Sequence, residues 1–283
     1  MKILCLFVRH GTAQYPEALT ELDQWYQRHS LINERTLWII DNALEPNCLP
    51  QLVAPATHLR PGSNHAWEFS AWDRTLAEAA AEGISYDIVH FVTSAFNTLY
   101  NEYLKHFRRD MLDYTLARNT CLGHLDSFPE LMQLEDETFQ TWVRTCFFFL
   151  TRTSIQKLPR LATYQDPDRF FVAPDSREFR PDAPLGLAYQ RHIRAWLEGQ
   201  EIGGHSWHSP VRQGKEENVR FQRKTLAILN EQRLAITLRR AGIRLADFCW
   251  LFSLRNAPFS AEMAPPTEVD QLRARRRILG IPA

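Results

Sequence analysis

Residues 3–12 read ILCLFVRHGT. Six apolar residues in a row, closed by an arginine, a histidine and a glycine, are the pattern of a strand buried on both faces that gives way to a loop. Working outward, the stretch from Pro16 to His29 places Leu19, Leu22, Trp25 and Tyr26 at helical spacing, with Pro16 suited to a first turn. Residues 36–40 (TLWII) then form a second apolar run, which stops at Asp41-Asn42. A strand, helix, strand unit of this kind opens a parallel sheet. The chain is therefore expected to be an α/β protein with a mostly parallel central sheet flanked by helices and a helical C-terminal extension.

Further along, 52–59 supplies a weaker third strand, and residues 60–64 (RPGSN) form a turn cluster. Trp67 to Glu82 reads as a helix by its alanines and leucines, ended by Gly83. Residues 86–93 (YDIVHFVT) are rich in β-branched and aromatic side chains and predict a central strand. Strands are also expected at Cys121 to Phe128 and Cys146 to Leu150, with a helix-like stretch, Thr138 to Val143, between them. Prolines, aspartates and arginines crowd the stretch from Pro159 to Pro184, which predicts a mobile loop on the acceptor side. A long helix follows from Lys215 to Ala241, with Phe221, Ile228, Leu229, Ala235 and Ile236 on one face and Gly242 at its end. Leu245 to Phe252 then reads as a returning strand. The organisation expected is an α/β region over 1–158 and a loop and helical region over 159–283, within one globular unit.

Composition narrows the function classes. Lys plus Arg and Asp plus Glu each total 33, so no overall field favours nucleic acid. The five cysteines are scattered without a CxxC pair, which fits a reducing, cytoplasmic setting; Cys5 and Cys146 read as small core hydrophobes. The first apolar run is too short for a signal peptide, and no run reaches the roughly 18 residues of a membrane span. Arg273, Arg275, Arg276 and Arg277 make the last helix basic, a solvated face or a patch for peripheral contact with the inner membrane.

In open parallel sheets, ligands bind beyond the carboxyl ends of the strands. The residues there are polar: Arg9, His10 and Gly11, then Asp41 and Asn42, Asn64, Ser94 with Asn97, and His124 with Asp126. Such a set suits a nucleotide, with a carboxylate and an amide for base or ribose and with Arg9 and backbone N–H groups near Gly11 for a diphosphate.

Four blocks carry a resemblance: RPGSNHAWEFSAWDRTL (60–76), YDIVHFVTSAFNTLY (86–100), GHLDSFPE (123–130) and FQTWVRTCFFFL (139–150), with weaker support from FQRKTLAILNE (221–231). In order and rough spacing they resemble glycosyltransferases of bacterial surface-polysaccharide clusters, of the rhamnan-synthesis and O-antigen type, over about a third of the chain. The resemblance implies a GT-A-like fold, a nucleotide-binding α/β half fused to an acceptor-binding half. It also implies a nucleotide-sugar donor and a glycan or lipid-linked glycan acceptor. Many such enzymes hold a divalent metal, magnesium or manganese, through an Asp-x-Asp motif after the central strand. This sequence has Val92-Thr93-Ser94-Ala95-Phe96 there, with no carboxylate, so no residue is assigned as a metal ligand.

Sugar transfer needs a base for the acceptor hydroxyl and cations or dipoles for the departing phosphate. Asp126 is the preferred base, with Glu68 and Asp73 behind it. Arg9, Arg144 and Lys224 are the cations for the donor, and Trp72, Trp142 and His124 are the candidates for a sugar surface. Each has a plainer reading: carboxylates cap helices and turns, and tryptophans fill cores. Two other classes remain open. Arg9-His10-Gly11 also resembles the strand-to-loop signature of the histidine phosphatases, but the second histidine that chemistry requires is not found after a late strand; His205 and His208 follow a helix. The third class is a noncatalytic nucleotide- or sugar-binding protein. His205, His208 and His124 lack the spacing of a zinc site.

Overall fold

Alternation within the first run decides the layering. Ile3, Cys5 and Phe7 join the core on one face of the sheet and Leu4, Leu6 and Val8 the core on the other, and all six are buried. A strand covered on both sides must be apolar throughout. The computed structural model describes residues 1–98, 102–201, 207–254 and 264–280. Its strands are β1 (Ile3–Arg9), β2 (Arg35–Asp41), β3 (Gln51–Ala54), β4 (Thr57–Pro61), β5 (Ile88–Thr93), β6 (Cys121–Leu134), β7 (Glu137–Thr151) and β8 (Leu245–Asp247). They form one eight-stranded sheet in the order β3-β4-β2-β1-β5-β7-β6-β8. The pairings make β3 and β7 run against the other strands, which all share one direction. The expected mostly parallel α/β sheet is thus present.

Helices cover both faces. One core takes α1 (Ala18–Arg28), α3 (Asp110–Arg118) and α7 (Phe248–Ser253); the other takes α2 (Trp67–Ala81) and the C-terminal half of α6 (Lys215–Arg240). The helix α8 (Glu268–Leu279) supplies Leu272 to one core and Ala274 to the other, and the short α4 (Arg152–Lys157) follows β7. A third core lies beyond the sheet, where α5 (Leu187–Leu197) and the N-terminal half of α6 pack on the far end of the β6–β7 hairpin. Because α6 serves two cores, its buried residues do not keep to the single face expected: Phe221, Leu229 and Ile236 join the third core and Ala235 the sheet core.

Four other expectations are corrected. The stretch Thr138 to Val143 is strand, not helix: Phe139, Thr141, Val143 and Thr145 are buried while Gln140, Trp142, Arg144 and Cys146 are partly open, a period of two. The strands expected at Cys121 and Cys146 are the ends of this one long hairpin. Residues 52–59 are the turn of a hairpin rather than one strand, with β3 antiparallel to β4 and Ala56 at φ +52° between them. Only Leu245–Asp247 of the expected last strand is extended; the Asp247 carboxylate then accepts the N–H groups of Cys249 and Trp250 and starts α7. The segment 159–184 is pinned and not a mobile lid. Tyr164, Phe170, Phe171 and Phe179 are buried, and the Asn230 side chain bonds both the N–H and the carbonyl of Tyr164.

Candidate functional site

The hairpin builds one wall of a cleft. β5 pairs with β7 only as far as Val92 opposite Phe147, and β8 pairs with β6 only as far as Asp247 opposite Gly123. The remainder of the hairpin therefore projects past the carboxyl edge of the sheet. Its open face, together with α5, α6, α8 and the first turn of α2, encloses a cavity of about 760 Å³ that reaches Thr93 and Ala95 at the end of β5. Aromatic side chains line the α5 side, with the Trp142 and Phe128 rings 4.4 Å apart and His192 edge-on to Phe128 at 4.5 Å. Arg273, Arg275 and Arg276 line the α8 side.

At the adjoining strand ends, β1 and β2 are in register at Arg9 and Asp41. Asp41 accepts Arg9 Nε at 2.7 Å, Gly11 N at 2.8 Å and Ala43 N at 3.0 Å. Burial works against its ionisation, but these two N–H groups and the guanidinium outweigh it and hold the carboxyl below its ordinary value. Gly11 has φ +64°, the conformation that turns its N–H to this carboxylate. Gly62 after β4 allows a close approach: a Cβ there would lie 1.8 Å from Asn42 Oδ1. Asn42 in turn reaches the Trp67 carbonyl, and the next residue, Glu68, lines the cavity. The Asn42 Oδ1 atom is buried without a hydrogen-bond partner among the described residues. Ser94 N bonds the Val8 carbonyl, which keeps the β5 end beside the β1 end. The structure thus brings Arg9, Gly11, Asp41, Asn42 and Ser94 to one edge of the sheet, next to the cleft.

Acidic groups lie deeper in the cleft. Glu231 on α6 accepts Thr145 N at 2.9 Å, and burial, with Glu68 nearby, pushes its carboxyl up to about 7 against the pull of that N–H, Lys224 and Arg144. Burial likewise raises Glu68, with Lys224 pulling the other way. Asp126 is paired: Arg144 Nε lies 2.7 Å from its Oδ2. Asp126 stands within β6, inside the strand expected over 121–128 and not beyond its carboxyl end. Counting charges around the wall, Arg144, Lys224, Arg273, Arg275 and Arg276 face Glu68, Asp126 and Glu231, a cationic excess of two in a chain whose formal charge is zero.

Several expected site residues fall elsewhere. Trp72 is fully buried in the core and donates its indole N–H to the Leu6 carbonyl, so it offers no sugar surface. Asp73 spends both oxygens on the N–H groups of Leu161 and Ala162, which makes it the clamp of the 159–184 segment and not a base. It lines a separate cavity of about 540 Å³ between α2 and that segment. His124 stacks on Tyr103 at 4.4 Å, is covered by Arg275, and is kept neutral by burial. His10 and Asn64 are exposed in the loops after β1 and β4, and Asn97 is half-buried after β5; none of the three lines the cleft. Cys146 packs against the sheet core, as expected, and also lines the cleft. His205 lies outside the described residues. The sequence reading missed Glu231, although the block 221–231 ends on it, and also Trp196, His192 and Trp207; His208, weighed there only as a phosphatase or zinc histidine, lines the cleft too. For Glu231, His192 and Trp196 the only signal was position on helices whose inward face could not be fixed without the third core, while Trp207 and His208 stand in the loop before α6.

Thr93, Ser94 and Ala95 present hydroxyls and a methyl where a metal-diphosphate motif needs carboxylates, so the residues present do not fit that group. No helix among the described residues is long and apolar enough to cross a membrane. No protein-family model matches the chain, and no curated protein matches it either.

Proposed function

We propose that the chain is a nucleotide-sugar-dependent glycosyltransferase acting on a glycan or lipid-linked glycan acceptor in the assembly of a bacterial surface polysaccharide. The observation that carries the reading is Glu231: a carboxyl with near-neutral acidity, in a cleft with excess positive charge, beside the carboxyl ends of parallel strands. A GT-A-like arrangement is supported by the division of labour, in which β1, β2, β4 and β5 supply a nucleotide edge and the hairpin with α5, α6 and α8 supplies an acceptor side. In the reaction the acceptor hydroxyl oxygen bonds to the anomeric carbon, its proton passes to Glu231, and the bond from that carbon to the diphosphate oxygen breaks. Arg144, Lys224, Arg275 and Arg276 neutralise the departing diphosphate. Asp126 orients Arg144, a positioning role in place of the base role expected from sequence. Arg273 and Arg277 stay exposed on α8 and supply a basic edge for peripheral contact with the inner membrane.

A base near 7 gives a rate that rises with pH through neutrality as Glu231 ionises. With a panel of nucleotide sugars and acceptors, Glu231→Gln is expected to lower kcat by about 100-fold or more while donor affinity holds. Equal turnover in the variant refutes the assignment. Thermal shifts with nucleotide diphosphates but no turnover of any donor would favour the noncatalytic class. The phosphohydrolase reading has less support, since Arg9 is engaged by Asp41 and His10 is exposed; a shift with vanadate alone would revive it.

A further inference from the structure

Lys224, on the cleft wall, stands over two aromatic faces: its Nζ is 4.8 Å from the Trp67 ring centroid and 6.0 Å from that of Trp207. It forms no ion pair with any carboxylate among the described residues, although Glu68 and Glu231 are near enough to feel its charge. Trp67 is held in an unusual way to do this. Its φ is +53°, a left-handed conformation that a bulky residue adopts only where its surroundings enforce it. Ser70 Oγ accepts Ala66 N at 2.9 Å and donates to the Ser63 carbonyl at 2.7 Å, which closes the loop that delivers Trp67 to the start of α2. On the other side, Trp207 is itself fixed under Arg220, whose guanidinium lies 5.4 Å from its centroid.

We propose that Trp67 and Trp207 form a cage that holds the Lys224 ammonium apart from Glu68 and Glu231, so that it stays available to receive a phosphate or diphosphate group in the cleft. The inference rests on the transferase reading only for the identity of that anion as a nucleoside diphosphate. An ammonium already paired to a carboxylate has its charge satisfied, and the carboxylate so paired ionises more readily. The indole faces attract the cation without neutralising it. The cage therefore does two things with one contact: it leaves a cation free for the leaving group and leaves Glu231 without a partner cation, as a near-neutral base requires. The charged and titratable groups facing Glu231 are Glu68 from α2, Lys224 from α6, Arg144 and Cys146 from β7, and Tyr189 from α5; His208 faces Lys224.

The test uses the full chain with Trp67→Gly and Trp67→Asn, which suit a left-handed backbone, and Trp67→Phe, which keeps a ring face. Two readouts do not need turnover: inorganic pyrophosphate affinity by calorimetry, and the carboxyl titration of Glu231 by infrared difference, assigned with Glu231→Gln. In the Gly and Asn variants pyrophosphate Kd is expected to rise about tenfold, the scale of a lost cation–π contact. The Glu231 titration should move to lower pH as Lys224 settles onto it, at an unchanged or higher melting temperature, and Trp67→Phe should stay near the wild type. Wild-type protein that binds no pyrophosphate overturns the proposal. So do ring-less variants with unchanged affinity and titration, whether or not their melting temperature falls. If the shifts occur as expected but the wild type transfers no sugar from any donor, the cage stands and the transferase reading falls.

Discussion

His90 sits in the middle of β5 with no exposed surface, its Nδ1 2.8 Å from the Tyr26 hydroxyl and its ring stacked on Phe149 at 4.0 Å. Burial, with the positive charge of Arg35 nearby, holds it far below the ordinary histidine value, so the folded protein keeps it neutral. In the unfolded chain it takes up a proton below about pH 6.5. The unfolded state then binds more protons than the folded one, and stability falls with falling pH by up to ~1.4 kcal/mol per unit below that value. His90→Phe is expected to flatten this slope by about one proton, read from urea unfolding at pH 7.5, 6.5 and 5.5; identical slopes in both proteins would refute it. His124 supplies a similar slope of its own, which the comparison cancels. At this scale the sequence was only partly legible. That Arg9, Asp41 and Ser94 share one edge of the sheet was legible because each follows an apolar run, whereas the place of Asp73 was not, because its backbone partners lie 88 and 89 residues away.

Between elements, Asp247 is the junction that holds α7, α8 and the hairpin together. Its carboxylate accepts Leu125 N at 2.9 Å as well as the first N–H groups of α7, and it lies 3.4 Å from the Arg275 guanidinium. Its own N–H goes to Gln271 on α8. Asp247→Ala leaves the Leu125 N–H and a partly buried guanidinium without their anion and removes a helix cap, for an expected loss of ~3–5 kcal/mol. Chemical denaturation checks this, and a loss under ~1 kcal/mol would show that α8 is held by its apolar contacts alone. The same change should weaken pyrophosphate binding, because Arg275 is placed by this junction. The sequence could not show it: three residues of strand are too short for a pattern, and Phe248, Cys249, Trp250 and Leu251 read equally well as strand or as a buried helix turn. The β7 stretch failed for a related reason. Its buried face carries Thr141 and Thr145 while its open face carries Trp142, so the period of two is blurred in hydropathy and visible only in burial.

For the whole molecule, the division at residue 158 marks a change in composition but not a folding boundary. β8 hydrogen-bonds to β6, and Leu234, Ala235 and Leu238 of α6 complete the core that β1 and β5 begin. A chain ending at 158 would expose that core, so it is expected to be insoluble or molten, with loss of near-ultraviolet circular dichroism. The full chain should unfold in one transition by both tryptophan fluorescence and far-ultraviolet signal. A soluble, cooperatively folded 1–158 fragment would refute this. In the N-terminal half β1, β2 and β5 were legible because each carries an apolar run that ends on a polar turn, whereas β4 (THLRP) does not; the C-terminal half was not legible, because its core is made by contacts between distant segments. The projecting hairpin gives the cavity its mechanics. Two long strands anchored in the sheet give that wall its backbone hydrogen bonds on both sides of the bulge between Ser127 and Met132, so any breathing that admits a bulky molecule falls to α5 and α8 opposite it.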